Sequence, residues 1–373
     1  MSERVHAYLN IGIICAIIVL LMAVDIFNSD RTYSETENRV LAEKPEFSRE
    51  AWFDGSFASD YEEYITDQFA GRDKWVAMKT YSEMALGRSL VNGVYLAEDD
   101  YMIQQHRPQD FSEELIQTRL AKLDKLVKKW DAQVMLVPTA DNILSEKLPV
   151  YAPYFDQKAF IDRVRDVIGE EYLINVYDIL EEHDREYIYY KTDHHWTSLG
   201  AYYGYQAWAN HRNESGYPYN PEGMKEVTTE FWGTLQSKTN LNGPKDIIAY
   251  FPETEQQPVS LVYDMQTRRK SFYEEKYLDT KNQYGFFMDD NHGMIEIDTG
   301  YESGGTLFVI KDSYANCMIP LLAPHYETIY VMDLRYFNAK LEDIMNMYKP
   351  AEGMDVLILY NCVHFLEDFK YYE

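Results

Sequence analysis

Ser313, His195 and Asp193 have the types and neighbours that acyl-transfer chemistry needs. A serine hydroxyl is a weak nucleophile until a base takes its proton. Histidine suits that task near neutral pH. Asp193 stands two residues before His195, so its carboxylate can accept the Nδ1–H bond if the segment turns back. Such a bond fixes the tautomer and supports the imidazolium formed during proton transfer. Ser313 follows an apolar run, residues 307–310, and precedes a helical segment. A hydroxyl at a strand-to-helix turn is exposed, and backbone N–H groups there favour developing negative charge.

Each residue also has an ordinary reading. Ser313 can be a helix N-cap, Asp193 a cap and His195 a stacked ring. His194 could serve as the base, but Asp193 is a poor orienter for its immediate neighbour. Asp193, His194 and His195 also form a possible metal set. Adjacent residues rarely converge on one ion, so the expectation is no metal and no soluble cofactor.

These residues need a frame. Residues 134–137, 172–176, 188–190, 307–310, 329–332 and 356–359 read as short apolar strands. Helical spacing lies between them: residues 115–130 behind Ser112, 160–168, a helix capped by Thr197 or Ser198, and 341–348. Alternation of this kind predicts an α/β fold, a parallel sheet with helices on both faces. Ligands of such sheets bind beyond the carboxyl ends of the strands. Asp141 and Asn142, the 193–195 run, Asp312 and Ser313, Asp333 and Arg335, and Asn361 and His364 all fall there. Arg335 could clamp a substrate oxygen or pair with a carboxylate. Tyr314 and Trp196 flank the proposed centre and could stack on a sugar or fill the core.

The chain has 373 residues, enough for one large domain or two ordinary ones. A hydrophobic content of 46% supplies a sizeable core. Its 33 tyrosines suit clefts and carbohydrate-facing surfaces, or reflect compositional drift. With 62 acidic and 35 basic residues the net charge is −27, which argues against nucleic acid as a partner. Cys15 lies in the N-terminal apolar run. Cys317 and Cys362 could pair or remain buried thiols; they form no disulfide framework.

Residues 9–24 are almost unbroken apolar sequence, and with flanking residues reach the ~20 that a membrane helix needs. Arg4 precedes the run; Asp25, Asp30, Glu35 and Glu37 follow it, with Arg31 and Arg39 among them. That bias favours N-in, C-out. No small-x-small cleavage site follows, so a retained single-pass anchor is expected over a cleaved signal, and the rest lies outside the cytoplasm on either reading. The expected organisation is an anchor at 1–28, a connector and helical portion at 29–110, and an α/β domain at 111–373. The latter carries an irregular β-rich insertion at about 215–300 near the cleft.

The segment K-T-D-H-H-W-T-S-L-G-A-Y, residues 191–202, resembles the motif that names the DHHW protein family. E-T-E-N-R-V-L-A-E-K-P (35–45), D-Q-F-A-G-R-D (67–73) and N-G-V-Y-L (92–96) resemble its N-terminal portion. K-D-S-Y-A-N (311–316), A-P-H-Y (323–326) and D-L-R-Y-F (333–337) resemble its C-terminal portion. That family is more distantly similar to the SGNH-like proteins of alginate O-acetylation, which carry Asp-x-His-Trp and a much later Ser after a strand. Asp193, His195, Trp196 and Ser313 match those positions in order, whereas ordinary SGNH hydrolases place Ser early. This chain departs in having Asp312 directly before Ser313 with no preceding Gly. The usual Gly and Asn blocks of the oxyanion hole have no clear match; Asn142, Asn291 and Asn361 are the candidates.

The resemblance implies an SGNH-hydrolase-like fold and O-acetyl transfer to a cell-surface polysaccharide through a serine acyl-enzyme. It also implies an integral membrane O-acyltransferase as acyl donor. The alternatives are a carbohydrate esterase and a non-catalytic glycan-binding or scaffold protein. Separation of Ser313 Oγ from His195 would favour the last.

Overall fold

The N-terminal apolar run forms one helix, Glu3–Phe27. Its segment Val5–Asp25 has a mean hydropathy of 2.6 and no buried surface, the length and composition of a membrane span. The computed structural model describes residues 3–34, 39–337, 340–347 and 353–369. Glu35 and Glu37 of the acidic flank, and Tyr348 at the end of an expected helix, lie outside these described residues.

Two units divide the chain: Met1–Arg88 with Ser237–Leu241, and Ser89–Gln236 with Asn242–Glu373. In the first, helices Arg49–Asp54, Ser56–Gln68 and Arg72–Ala85 follow the apolar helix. The D-Q-F-A-G-R-D segment acts as a clamp. Asp67 Oδ2 accepts the Ala42 N–H at 2.9 Å. The Gln68 amide accepts from Arg31 N–H at 2.8 Å and donates to the Arg31 carbonyl at 2.9 Å. Gly71 adopts φ +70°, which its missing Cβ permits, and the chain turns into the next helix there. Asp25, at the end of the apolar segment, accepts the Ala70 N–H at 3.1 Å.

The second unit is built on a seven-stranded sheet. Its strands in chain order are β1 (Gln133–Val137), β2 (Ser260–Tyr263), β3 (Thr267–Arg269), β4 (Met294–Asp298), β5 (Thr306–Lys311), β6 (Thr328–Met332) and β7 (Met354–Asn361). The spatial order is β3-β2-β4-β6-β5-β7-β1. β6, β5, β7 and β1 are parallel. Residues 307–311 of β5 are buried one after another, so both faces of that strand are covered. Helix Glu113–Trp130 begins where expected: Ser112 Oγ accepts the Leu115 N–H at 3.2 Å.

The sheet is mixed rather than wholly parallel. The expected insertion contributes β2, β3 and β4, which extend the sheet antiparallel from the free edge of β6. Met294–Asp298 alternates buried and exposed in its second half, the pattern of an antiparallel strand with one wet face. Two expected strands are absent from the sheet. Residue 173 makes a single bridge to Val134, and Tyr189 a single bridge to Trp196. Leu173, Ile174, Val176, Ile188, Tyr189 and Tyr190 are all buried. Their apolar pattern reports core filling, not strand pairing. Cys317 and Cys362 are free and buried.

Candidate active site

Residues 188–197 form a tight loop. The Tyr190 N–H donates to the His195 carbonyl at 3.2 Å, and the Thr197 N–H to the Ile188 carbonyl at 2.9 Å. Asp246 pins the start of the loop, accepting the Lys191 N–H at 2.7 Å, the Thr192 N–H at 2.8 Å and the Thr192 hydroxyl at 2.6 Å. Burial raises the Asp246 pKa in spite of these donors.

The turn-back that the sequence requires is present. Asp193 Oδ1 accepts the His195 backbone N–H at 3.0 Å and lies 2.6 Å from His195 Nδ1. Asp193 Oδ2 accepts from the Thr234 N–H at 2.8 Å and the Thr234 hydroxyl at 3.1 Å. Burial opposes the Asp193 charge, but His194, His195 and these hydrogen bonds outweigh it and hold the carboxyl well below its ordinary range. A Cβ at position 233 would sit 2.2 Å from Asp193 Cβ, so only glycine fits there.

His195 Nε2 stands 2.8 Å from Ser313 Oγ. The ring is held from both faces. Tyr284 stacks on it with centroids 3.8 Å apart and planes 8° apart, and His194 lies at 3.9 Å. The Tyr284 hydroxyl also donates to the Ser313 carbonyl at 3.1 Å. Ser313, His195 and Asp193 are 6%, 5% and 3% exposed, which puts the cluster at the edge of bulk water rather than in it.

Ser313 begins a short 3₁₀ turn, Ser313–Cys317, immediately past β5. Asp312 caps this turn through Tyr314 N–H at 2.9 Å. Its other oxygen accepts from Asn361 N–H at 3.1 Å, the Asn361 amide at 2.8 Å and His364 Nδ1 at 2.9 Å. Asp312 thus ties the ends of β5 and β7 together. Burial opposes both charges of the Asp312–His364 pair. Their mutual hydrogen bond and attraction prevail, so Asp312 is shifted down and His364 up. Beneath the turn, Lys311 is fully buried and bonds Asn316 Oδ1 at 2.8 Å, with Asp333 Oδ2 at 3.4 Å. Burial lowers its pKa, although Asp333 works the other way.

The remaining expected site residues have other work. Trp196 and Tyr314 are fully buried, in keeping with the core-filling alternative. The Trp196 indole N–H donates to the Tyr314 carbonyl at 2.8 Å, and the Tyr314 hydroxyl donates to the His194 carbonyl, joining the two halves of the cluster. The Asn142 amide donates to Asp141 and the Phe155 carbonyl. Asn291 donates to Asp290, and Asn361 to Asp312 while its oxygen caps the helix Cys362–Asp368. Arg335 forks onto Asp333 at 2.9 and 2.7 Å, the carboxylate-pairing alternative. Asp193, His194 and His195 offer ligand atoms within 4.8 Å of one another, the one such grouping among the described residues. Both ring nitrogens of His195 are already engaged there.

Sequence reasoning missed Gly233, Thr234, Lys281 and Tyr284, all inside the irregular insertion. No periodic pattern marks them. The Lys281 ammonium, bonded to Gln236 at 2.7 Å, is pushed down to about 8 by burial, against the pull of Asp193.

The profile of the DHHW protein family matches residues 129–332, more than half of the chain. A DHHW family protein from Eubacterium siraeum is similar at 23% identity and a TM-score of 0.61, over 74% of this chain and 93% of that one. Bacillus cereus PatB1, captured with a sulfonyl adduct, is similar at 20% identity and a TM-score of 0.59, over 75% and 98%. The O-acetyltransferase domain of Pseudomonas putida AlgJ is a fainter match, at 13% identity and a TM-score of 0.43 over 74% and 92%. At these identities the likeness is one of fold. No curated protein matches the chain.

Proposed function

The chain belongs to the DHHW protein family, and from that premise we propose that it transfers an O-acyl group, acetyl, to a cell-surface polysaccharide through Ser313. One observation carries the reading: the hydrogen-bonded line Ser313 Oγ–His195–Asp193, with steps of 2.8 and 2.6 Å. A non-catalytic scaffold has no need of that line.

In this mechanism His195 Nε2 takes the Ser313 proton as Oγ attacks the carbonyl carbon of an acetyl donor. Asp193 holds Nδ1–H and balances the imidazolium. The Tyr314 and Ala315 N–H groups of the Ser313 turn are given to Asp312, so another donor must meet the developing oxyanion. His195 passes its proton to the leaving group, and acetyl-Ser313 remains. An acceptor hydroxyl then attacks the ester, gives its proton to His195, and Ser313 Oγ regains one on release. No metal and no soluble cofactor enters these steps.

Hydrolysis is the second reading, with water as acceptor. The near-complete burial of Ser313 and His195 weighs toward transfer, because a dry centre limits competing water. In the transfer reading the frame is SGNH-like. The apolar helix Glu3–Phe27 is a single-pass anchor with the remaining chain outside the cytoplasm. An integral membrane O-acyltransferase supplies the acetyl group beside it.

The sulfonyl adduct of PatB1 suggests the probe. The full chain in detergent should turn over a chromogenic acetyl ester and take one phenylmethylsulfonyl group, located at Ser313 by peptide mass. Ser313→Ala and His195→Ala should abolish turnover. Absence of both turnover and modification at Ser313 sinks the proposal.

A further inference from the structure

A buried histidine, His106, and a half-buried one, His364, are left unused by the mechanism and line one small pocket beside the proposed centre. Its walls include His106, Asp141, Asp193, His194, Asn361 and His364. His106 is 7% exposed, and its Nδ1 lies 3.0 Å from Asp141 Oδ2. Asp141 is itself fixed, since its other oxygen accepts the Thr139 hydroxyl at 2.6 Å and the Gln157 amide at 3.2 Å. His364 repeats the pattern, with Nδ1 held 2.9 Å from the buried Asp312. Each carboxylate takes the Nδ1 edge. Nε2 is the ring nitrogen left uncommitted to a carboxylate, and its ring is already oriented.

The chemistry of the walls narrows the ligand. Asp141 and Asp193 in the same pocket disfavour a carboxylate or phosphate. Metal binding needs ligand atoms close together. Among the described residues the only threefold set within 4.8 Å is Asp193, His194 and His195, which leaves out His106 and His364. A hydroxyl, which both donates and accepts, satisfies an imidazole Nε2 in either protonation state. The pocket has room for about one hydroxyl group, so it admits the tip of one ring rather than a run of residues. It also adjoins the centre: Asp193 and His194 are shared walls, and Asp312, which holds His364, directly precedes Ser313.

We infer that this pocket is the acceptor subsite, in which Nε2 of His106 and Nε2 of His364 hold a hydroxyl of one neutral sugar residue. This inference rests on the acyl-transfer reading above. His106 and His364 are positioning residues; the proton of the attacking hydroxyl goes to His195.

The test uses His106→Asn and His364→Asn in the full chain in detergent. An asparagine amide can still donate to the carboxylate where Nδ1–H did, while Nε2 is removed. The probes are cellotetraose and chitotetraose. Acetylation of Ser313 by the chromogenic ester should fall less than transfer to the tetrasaccharide does in each variant. The KM for the tetrasaccharide should rise about 3- to 10-fold in each variant, the loss of one neutral hydrogen bond. Separately, in the parent protein, the imidazole ¹⁵N resonances of His106 and His364 should shift on adding a tetrasaccharide, and those of His183 and His211, outside the pocket, should not. Resonance shifts without ester turnover keep the subsite and sink the acyl-transfer reading. Ester turnover with neither tetrasaccharide shifting these resonances overturns the subsite. So does a KM unchanged in both variants, or an equal loss of acetylation and transfer.

Discussion

Asp193 holds His195 twice through one oxygen, Oδ1, which accepts the backbone N–H at 3.0 Å and meets Nδ1 at 2.6 Å. The same atom shapes the loop and orients the ring. Geometry and charge can therefore be separated by substitution.

Asp193→Asn keeps an acceptor oxygen of similar size and removes the charge. The fold should persist, read as an unchanged circular dichroism spectrum. Ester turnover should fall on the order of 10³–10⁴-fold, as when a triad loses the charge that balances its imidazolium. Turnover within tenfold of the parent would show that Asp193 has a structural role alone.

Gly233→Ala forces a Cβ to within 2.2 Å of Asp193 Cβ, so the loop must shift. Overpacking of this kind costs about 1–3 kcal/mol, measurable by denaturant unfolding. Turnover should drop with it, because the Thr234 donors to Asp193 move as well. Gly304→Ala is the control: its added Cβ meets no heavy atom, although its φ of +73° carries some strain of its own.

Stability should respond to pH through His364 and Asp312. The His364 pKa is raised on folding, so its contribution is complete below its ordinary value of 6.5 and fades as pH rises through the higher folded value. Asp312 is lowered, so its share is complete above 3.8 and fades as pH falls through the lower folded value. Melting temperatures of the parent and His364→Asn should differ most between these two limits. The gap should narrow toward alkaline pH; a gap that widens there contradicts the pairing.

Lys281 should titrate near pH 8, far below an ordinary lysine at 10.5. Reductive ¹³C-methylation followed by NMR would show one lysine resonance moving in that range, and Lys281→Arg would remove it. All lysines titrating together above pH 10 would exclude the buried placement of this ammonium.

Much of this arrangement was legible from residue order. The Asp193–His195 spacing implied a turn-back, and the run before Ser313 implied a strand end; both are present because each depends on local geometry. The sheet edge was not legible. β2, β3 and β4 are short strands, and the pairing of β4 with β6, on which the other two build, depends on a free edge set by residues far along the chain. Tyr284 and Thr234 escaped for the same reason. Nothing in a stretch of turns announces which ring will stack on His195, or which N–H will meet Asp193. Residues 172–176 and 188–190 misled in the opposite direction, since burial produces an apolar run whether or not a strand forms.

The base and the proposed nucleophile lie 118 residues apart, on segments joined by Trp196 and Tyr314. A chain still being made has its histidine loop long before Ser313, and β7, which fastens the serine turn through Asn361, is the last strand of the sheet. Contacts so distant in sequence form late in folding. Prematurely terminated copies therefore carry half of a reactive centre and no means to use it. In the proposed reading, ester chemistry waits until the chain has been made past β7 and folded.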